Sequence, residues 1–422
     1  MPGVGASGVI GLAFEVILPP VQSALATATT GGTITAGTYK YVVTALNASG
    51  ETSASNEQTI VTTGSTSTVT VTWVAVTGAT GYKLYKTAAG GATQTELLYK
   101  TVGAVTSDID TSPGTPTGAF PTLNSAYSPG TYTAPTKFFP LISESLVTPQ
   151  ATIWRRPIRN SADVIGAVAG NFNVQGDITA EFLEDVSIYL LGASRVSIVK
   201  SGSSPNFVYT ITPSAIAIPA KTLSITAVRN GIVFGYVGCV VVQNSFTVND
   251  GLLMHNVSVI GRDEAVQSVP TPTWPTTVPF GAGQYSIEIP TGSAVLDTDT
   301  FEWTLNDNGT PNFRLKNTGR GAQFINFGER ESTLKFERDF ETRADYDAFK
   351  ALTAQAITIT ASKGTNNSVS IVSPVAVKDT YEVSMPGQGD LVRASINYRN
   401  IADATGVCYT MTLKTQESIP VP

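Results

Sequence analysis

The chain has 422 residues, 42% of them hydrophobic and only 14% charged, with a net charge of −6. That hydrophobic fraction supports packed cores and excludes wholesale disorder, while a single histidine (His255) and two distant cysteines (Cys239 and Cys408) exclude a zinc site of the usual ligand number and any disulfide framework. Basic and acidic residues number four against six in 1–133, nine against nine in 134–265 and thirteen against seventeen in 266–422, so no segment is a basic module for coating a duplex.

Residues 1–21 read as an N-terminal arm rich in Gly and Ala. Its apolar run has no Lys or Arg before it and is interrupted by Glu15, which is not the pattern of a secretory signal. No run of about 18 apolar residues occurs elsewhere, so the expectation is a protein made and folded in a cytoplasm. Residues 22–133 are dense in Thr, Ser, Gly and Ala. Tyr39, Tyr41 and Val43 alternate along Gly37–Ala45, a period-2 strand. Further strands are expected at Val69–Trp73, Gly78–Lys86, Leu97–Val102 and Thr106–Asp110. Short strands spaced by turns are the cue for a small β-sandwich.

From about Pro135 the texture changes and charges rise. Two helices are expected: Glu181–Ala193, with Phe182, Val186, Tyr189 and Leu190 on one stripe, and Thr342–Thr353, with Tyr346, Phe349 and Leu352 on one face and Thr342 as N-cap. The two stretches also repeat each other. Ile225 aligns with Ile359, Val242 with Val377 and Val257 with Ala394. Asp177–Phe182 followed by Val186–Leu191 likewise aligns with Ser332–Phe336 followed by Tyr346–Leu352. We read a tandem unit, 134–266 and 283–422, joined by a proline-stiffened linker, 267–282.

Candidate chemistry is sparse. Asp297/Asp299 and Glu337/Asp339/Glu341 place acids at alternate positions, the arrangement of a glycosidase pair. The competing reading is surface charge, with Glu337-Arg338-Asp339 and Glu341 to Arg343 paired among themselves. His255 has no serine-elbow motif near it, and Cys239 lies in an apolar strand context where a thiol acts as a small hydrophobe. The densest cationic cluster is Trp154-Arg155-Arg156-Pro157-Ile158-Arg159. Three guanidiniums beside an indole suit nucleic acid or carboxylates of a neighbouring subunit, and a solvated loop is the plain alternative. The neutral balance of the segment favours the subunit.

Two resemblances follow from these residues. The run Tyr39-Lys-Tyr-Val-Val-Thr-Ala-Leu-Asn-Ala-Ser-Gly-Glu-Thr52, with Val71-Thr-Trp73 and Gly81-Tyr-Lys-Leu-Tyr-Lys86, resembles a fibronectin type III or related immunoglobulin-like domain. Trp73 would be its core tryptophan, and the strand resembling its penultimate one comes first. The stretch Thr136-Lys-Phe-Phe-Pro-Leu-Ile-Ser-Glu-Ser-Leu146, then Trp154-Arg-Arg-Pro-Ile158, then Gly170-Asn-Phe-Asn-Val-Gln-Gly-Asp-Ile178 resembles the tail tube proteins of long-tailed bacteriophages over about 136–265 and, through the repeat, 283–418. With 22–133 removed, Gly11–Glu15 runs into Thr136–Phe139 like the arm and first strand of such a protein.

The resemblance implies a mainly β chain: tandem tail-tube-type β-sandwich units, each with one flanking helix, plus an inserted Ig-like sandwich. It implies rings that stack into the tail tube of a virion assembled in the host cytoplasm. A duplicated unit would need three copies for a pseudo-hexameric ring. The implied partners are the chain itself, the tape-measure protein, the terminator and tip proteins, DNA passing through the lumen, and weak glycan contact by the insert. No cofactor, metal or catalytic residue is implied. Candidate inter-subunit contacts are Trp154, Arg155, Arg156 and Arg159, with Phe14 in the arm and Trp274 in the linker. A surface adhesin with an Ig-like module is the alternative.

Overall fold

The computed structural model describes residues 8–419 except 115, 123, 157–162, 216–220, 316–318, 341 and 386–389. It is mainly β, with two helices among the described residues. The chain divides into two compact units, one spanning Phe14–Thr131 and the other combining the arm with the residues from Tyr132 onward.

The unit 14–131 packs a three-stranded and a four-stranded antiparallel sheet. Ala26–Ala28, Thr68–Thr72 and Ser107–Asp110 form the first. Gln58–Thr62, Gly37–Leu46, Gly81–Lys86 and Leu97–Val102 form the second. Ala26–Ala28 and Gln58–Thr62 were not expected from sequence, because both are short, largely solvent-facing and lack an apolar alternation. Trp73 is 2% exposed and packs on Tyr82, with ring centroids 5.2 Å apart. Lys86 is buried against Asp110 at 2.7 Å, and the Tyr41 hydroxyl donates to the same carboxylate at 2.8 Å.

The larger unit carries one pairing pattern twice. Leu141–Glu144, Val174–Glu181, Leu252–Gly261 and the C-terminal part of Ile232–Asn249 pair in that order. So do Thr298–Asn306, Glu331–Asp339, Arg393–Asn400 and the C-terminal part of Ser368–Ser384. The N-terminal parts of the two long strands turn into a second layer. One pairs with Leu223–Arg229 and Asp263–Val266, the other with Gln355–Ser362 and Thr410–Thr415. A long strand can serve two layers only if it bends, and each carries bulges at matching places: Val237-Gly238 and Val242 in one, Pro374-Val375 and Asp379 in the other. Pro374 sits where a bulge leaves its missing N–H without a ladder role.

The bulges correct the sequence alignment. Ile225 corresponds to Ile357, Val242 to Asp379 and Val257 to Ile396, each two residues from the expected partner. Side-chain alternation has period two, so a two-residue slip leaves the pattern unchanged.

Helix α1 is Glu184–Gly192, shorter than expected, and every residue in it is buried. Its stripe widened to the whole surface because the hairpin Val196–Ser203/Asn206–Pro213, absent from the second half, extends the other half's sheet through Thr410–Thr415. Its buried acids meet lysines from afar: Asp185 with Lys137 at 2.5 Å and Glu184 with Lys363 at 3.1 Å. Burial raises the Glu184 pKa, and Lys363 opposes that shift. Helix α2 is Ala344–Lys350, and none of its residues is buried. Its N-cap is Arg343 rather than Thr342, with no side-chain cap bond. Tyr346 and Phe349 pack on Tyr381, whereas Leu352 points to solvent.

Candidate functional site: the polar face of a joined sheet

The two four-stranded rows of the larger unit are one sheet. Gln243–Thr247 pairs antiparallel with Glu302–Asn306, so eight strands run without a break from Leu141–Glu144 at one edge to Thr380–Ser384 at the other. The joint is built from the strands' own alternation. Phe246 and Trp303 face each other in the ladder and stack on the core side at 5.1 Å between ring centroids, an arrangement worth about 0.5–1.5 kcal/mol beyond area burial. Beyond Asn306, the Asp307 N–H donates to the Val242 carbonyl at 2.8 Å. The Asp307 carboxylate takes Arg330 at 2.8 Å, and Arg330 also donates to the carbonyls of Arg195 and Ser214 in the first half. Burial raises the Asp307 pKa, opposed by Arg330.

On the core side the sheet places Ile178, Val257, Phe246, Trp303, Phe336 and Ile396, all buried. On the other side the same strands present Ser, Thr, Asn and Gln with a minority of charges. Each cation of that face has a carboxylate: Lys335 meets Glu337 at 3.8 Å, Arg399 meets Glu331 at 2.6 Å and Arg393 meets Asp299 at 2.6 Å. Asp177, Glu181, Glu302 and Glu382 have no cationic partner among the described residues. Asp177 accepts from Ser258 Oγ at 2.6 Å and Glu302 from Ser245 Oγ at 3.1 Å. The face is therefore a hydroxyl- and amide-rich surface with excess negative charge.

Glu337 and Asp339 keep alternate positions on one strand, where Glu337 meets Lys335 and Asp299 meets Arg393. Arg338 lies between Glu337 and Asp339 in sequence but points to the opposite face, where it meets Asp297 at 3.1 Å and Asp345 at 3.3 Å. The expected pairing of Arg338 with its neighbours is thus replaced by pairing with Asp297 and with Asp345 of α2. Arg343 meets Asp347, one turn along; Glu341 lies outside the described residues. Cys239 is buried in its strand. His255 is fully buried, with Nδ1 3.1 Å from Ser187 Oγ and Nε2 3.1 Å from Asn244 Oδ1. Asn244 donates its amide to Ser194, so Nε2 of His255 carries the proton and Nδ1 accepts from Ser187. Among the described residues no cluster of three His, Cys, Asp or Glu side chains is placed to hold a metal ion.

The cationic cluster lies on a two-stranded hairpin, Gln150–Arg155 with Gly166–Phe172. Trp154 is 59% exposed, and Arg155 and Arg156 are exposed beside it; Arg159 lies outside the described residues. Ile153 and Val168 pair across this hairpin and are also exposed. Trp274 is exposed in a segment without strand or helix, and Phe14 is buried within the chain. Sequence reasoning missed the joint and the face it creates. The Ser/Thr/Asn alternation was visible, but nothing local marks which edge strands meet.

A family model described as "Phage tail tube protein" matches residues 109–399. No curated protein matches the chain.

Proposed function

The chain belongs to the phage tail tube family, as a structural component of the virion tail, and we propose that three copies close a pseudo-hexameric ring whose stacked rings form the tube through which DNA leaves. The observation that carries this reading is the internal joint. The larger unit holds two rows with one pairing pattern, already fused edge to edge into a single sheet. A ring of six rows then needs three chains. We read the two halves as a duplicated tube unit, and 14–131 as an inserted sandwich of the fibronectin III or immunoglobulin-like kind.

The polar face fits a lumen. Unpaired acids repel phosphate, and Ser, Thr and Asn offer no cationic anchor, so DNA passes without being held. The exposed hairpin with Ile153, Trp154 and Val168 suits contact with a neighbouring ring, as does Trp274. The tape-measure protein would occupy the same lumen before ejection, with terminator and tip proteins at the tube's ends.

Negative-stain imaging of the concentrated protein, with native mass measurement, tests the reading. Rings or tubes with a central channel and three chains per ring are expected. Dispersed monomers at high concentration would favour the adhesin, and six chains per ring would overturn the trimer.

A further inference from the structure

We infer that copies of the chain join head to tail through one specific pair of strand edges, Thr380–Ser384 of one copy running antiparallel to Ser145–Pro149 of the next. This rests on the ring reading above and adds its surfaces and register.

The assignment comes from the internal joint. The bulge correspondence carries Gln243–Thr247 onto Thr380–Ser384. A second one carries Glu302–Asn306 onto Ser145–Pro149, because Ile142 and Asp299 are bulged at the same place opposite their partner strands. In the first half Val147 pairs with Gln175, as Thr304 pairs with Thr333 in the second. The two segments that meet inside the chain therefore have counterparts at the two ends of the eight-stranded row. Thr380–Ser384 pairs with Arg393–Asn397 on one side and with no described strand on the other.

Exposure marks both edges as uncovered. Val383 is 41% exposed, whereas its counterpart Phe246 is 1% exposed under the joint; Val147, the counterpart of Thr304, is 51% exposed. Pro149 is compatible with pairing. It stands where Asn306 stands, and the ladder's donor there is the next residue, Asp307, whose counterpart is Gln150. The edge at Leu146 is meanwhile held by side chains. Its N–H donates to the Glu144 carboxylate at 2.9 Å, and its carbonyl accepts from Arg229 at 2.6 Å and from the Tyr236 hydroxyl at 3.1 Å. An inward-turned ion pair of this kind blunts a strand edge. Docking transfers the Leu146 groups from that clasp to the strand carrying Val383. Because the two edges differ, the contact is heterologous and terminates only by closing a ring.

The test is a cysteine pair in the full chain, Val147→Cys with Glu382→Cys. They are the counterparts of Thr304 and Ser245, directly opposite in the ladder, at a spacing of roughly 4.5–5.5 Å that a disulfide spans. Mild oxidation should give covalent oligomers ending at the trimer. An equimolar mixture of the two single variants should give dimers and nothing larger. Val147→Cys with Val383→Cys, whose side chains lie on opposite faces, should not link. Rings that form without linking V147C to E382C would overturn this inference and leave the ring standing. Absence of rings from the native chain would overturn both.

Discussion

Protonation of His255 links the core of the larger unit to pH. Its ring is fully buried between Ser187 and Asn244, against Phe246 at 4.7 Å between centroids, and burial lowers its pKa to about 3. In the unfolded chain the imidazole titrates near 6.5. Between these values the unfolded state binds the proton and the folded state does not. Stability is thus complete above pH 6.5 and declines as pH falls toward 3, by about 1.4 kcal/mol per unit from this group. Denaturant titrations at pH 7 and pH 5 should show that decline in the native chain and a smaller one in His255→Gln; equal slopes would remove His255 as its source. Asn244 lies in the internal joint, so the variant is also expected to lower the unfolding midpoint at pH 7.

At the scale of elements, the clasp on Ser145–Pro149 decides when an edge is open. Burial raises the Glu144 pKa, but the Arg229 hydrogen bonds and the Leu146 N–H outweigh it and hold the carboxyl below the usual carboxylate range. A carboxylate so shifted contributes stability that is present above its unfolded pKa and lost as pH falls through the lowered folded value. The clasp is therefore intact at neutral pH and released in acid. Glu144→Gln weakens it at pH 7. The expected outcome is a shorter lag in assembly followed by light scattering, by several-fold, with the far-ultraviolet spectrum unchanged. A lag equal to that of the native chain would show that the clasp does not gate the edge.

For the whole molecule, the unit 14–131 enters and leaves the chain at neighbouring points. Leu12 pairs with Lys137, and the Thr136 N–H donates to the Leu12 carbonyl at 3.0 Å; within the smaller unit, Val16 pairs with Tyr127. A chain in which 15–130 is replaced by a short Gly/Ser turn keeps both ends of that connection in register. It should fold, retain its β spectrum and form rings like those of the full chain. Loss of soluble protein on excision would show instead that 14–131 is needed for the larger unit to fold.

How much of this was legible in the sequence varied with the range of the interaction. Tyr39, Tyr41 and Trp73 marked a sandwich core, and the alternation along Val257–Val259 and Ala394–Ile396 marked strands with one apolar face, because side-chain direction in a strand is a local, period-two property. The positions of both helices were legible too, to within a few residues. The complete burial of α1 was not, since it depends on a hairpin and on lysines 137 and 363. Nor was the register between the two halves, since a two-residue slip leaves the alternation unchanged and only the matched bulges at Val242 and Asp379 fix it. By itself the sequence determined which faces are polar and which apolar. Only the tertiary structure decided which edges meet, at Gln243–Thr247 with Glu302–Asn306, because backbone hydrogen bonding between distant strands is the same for every residue type but proline and leaves no local signature.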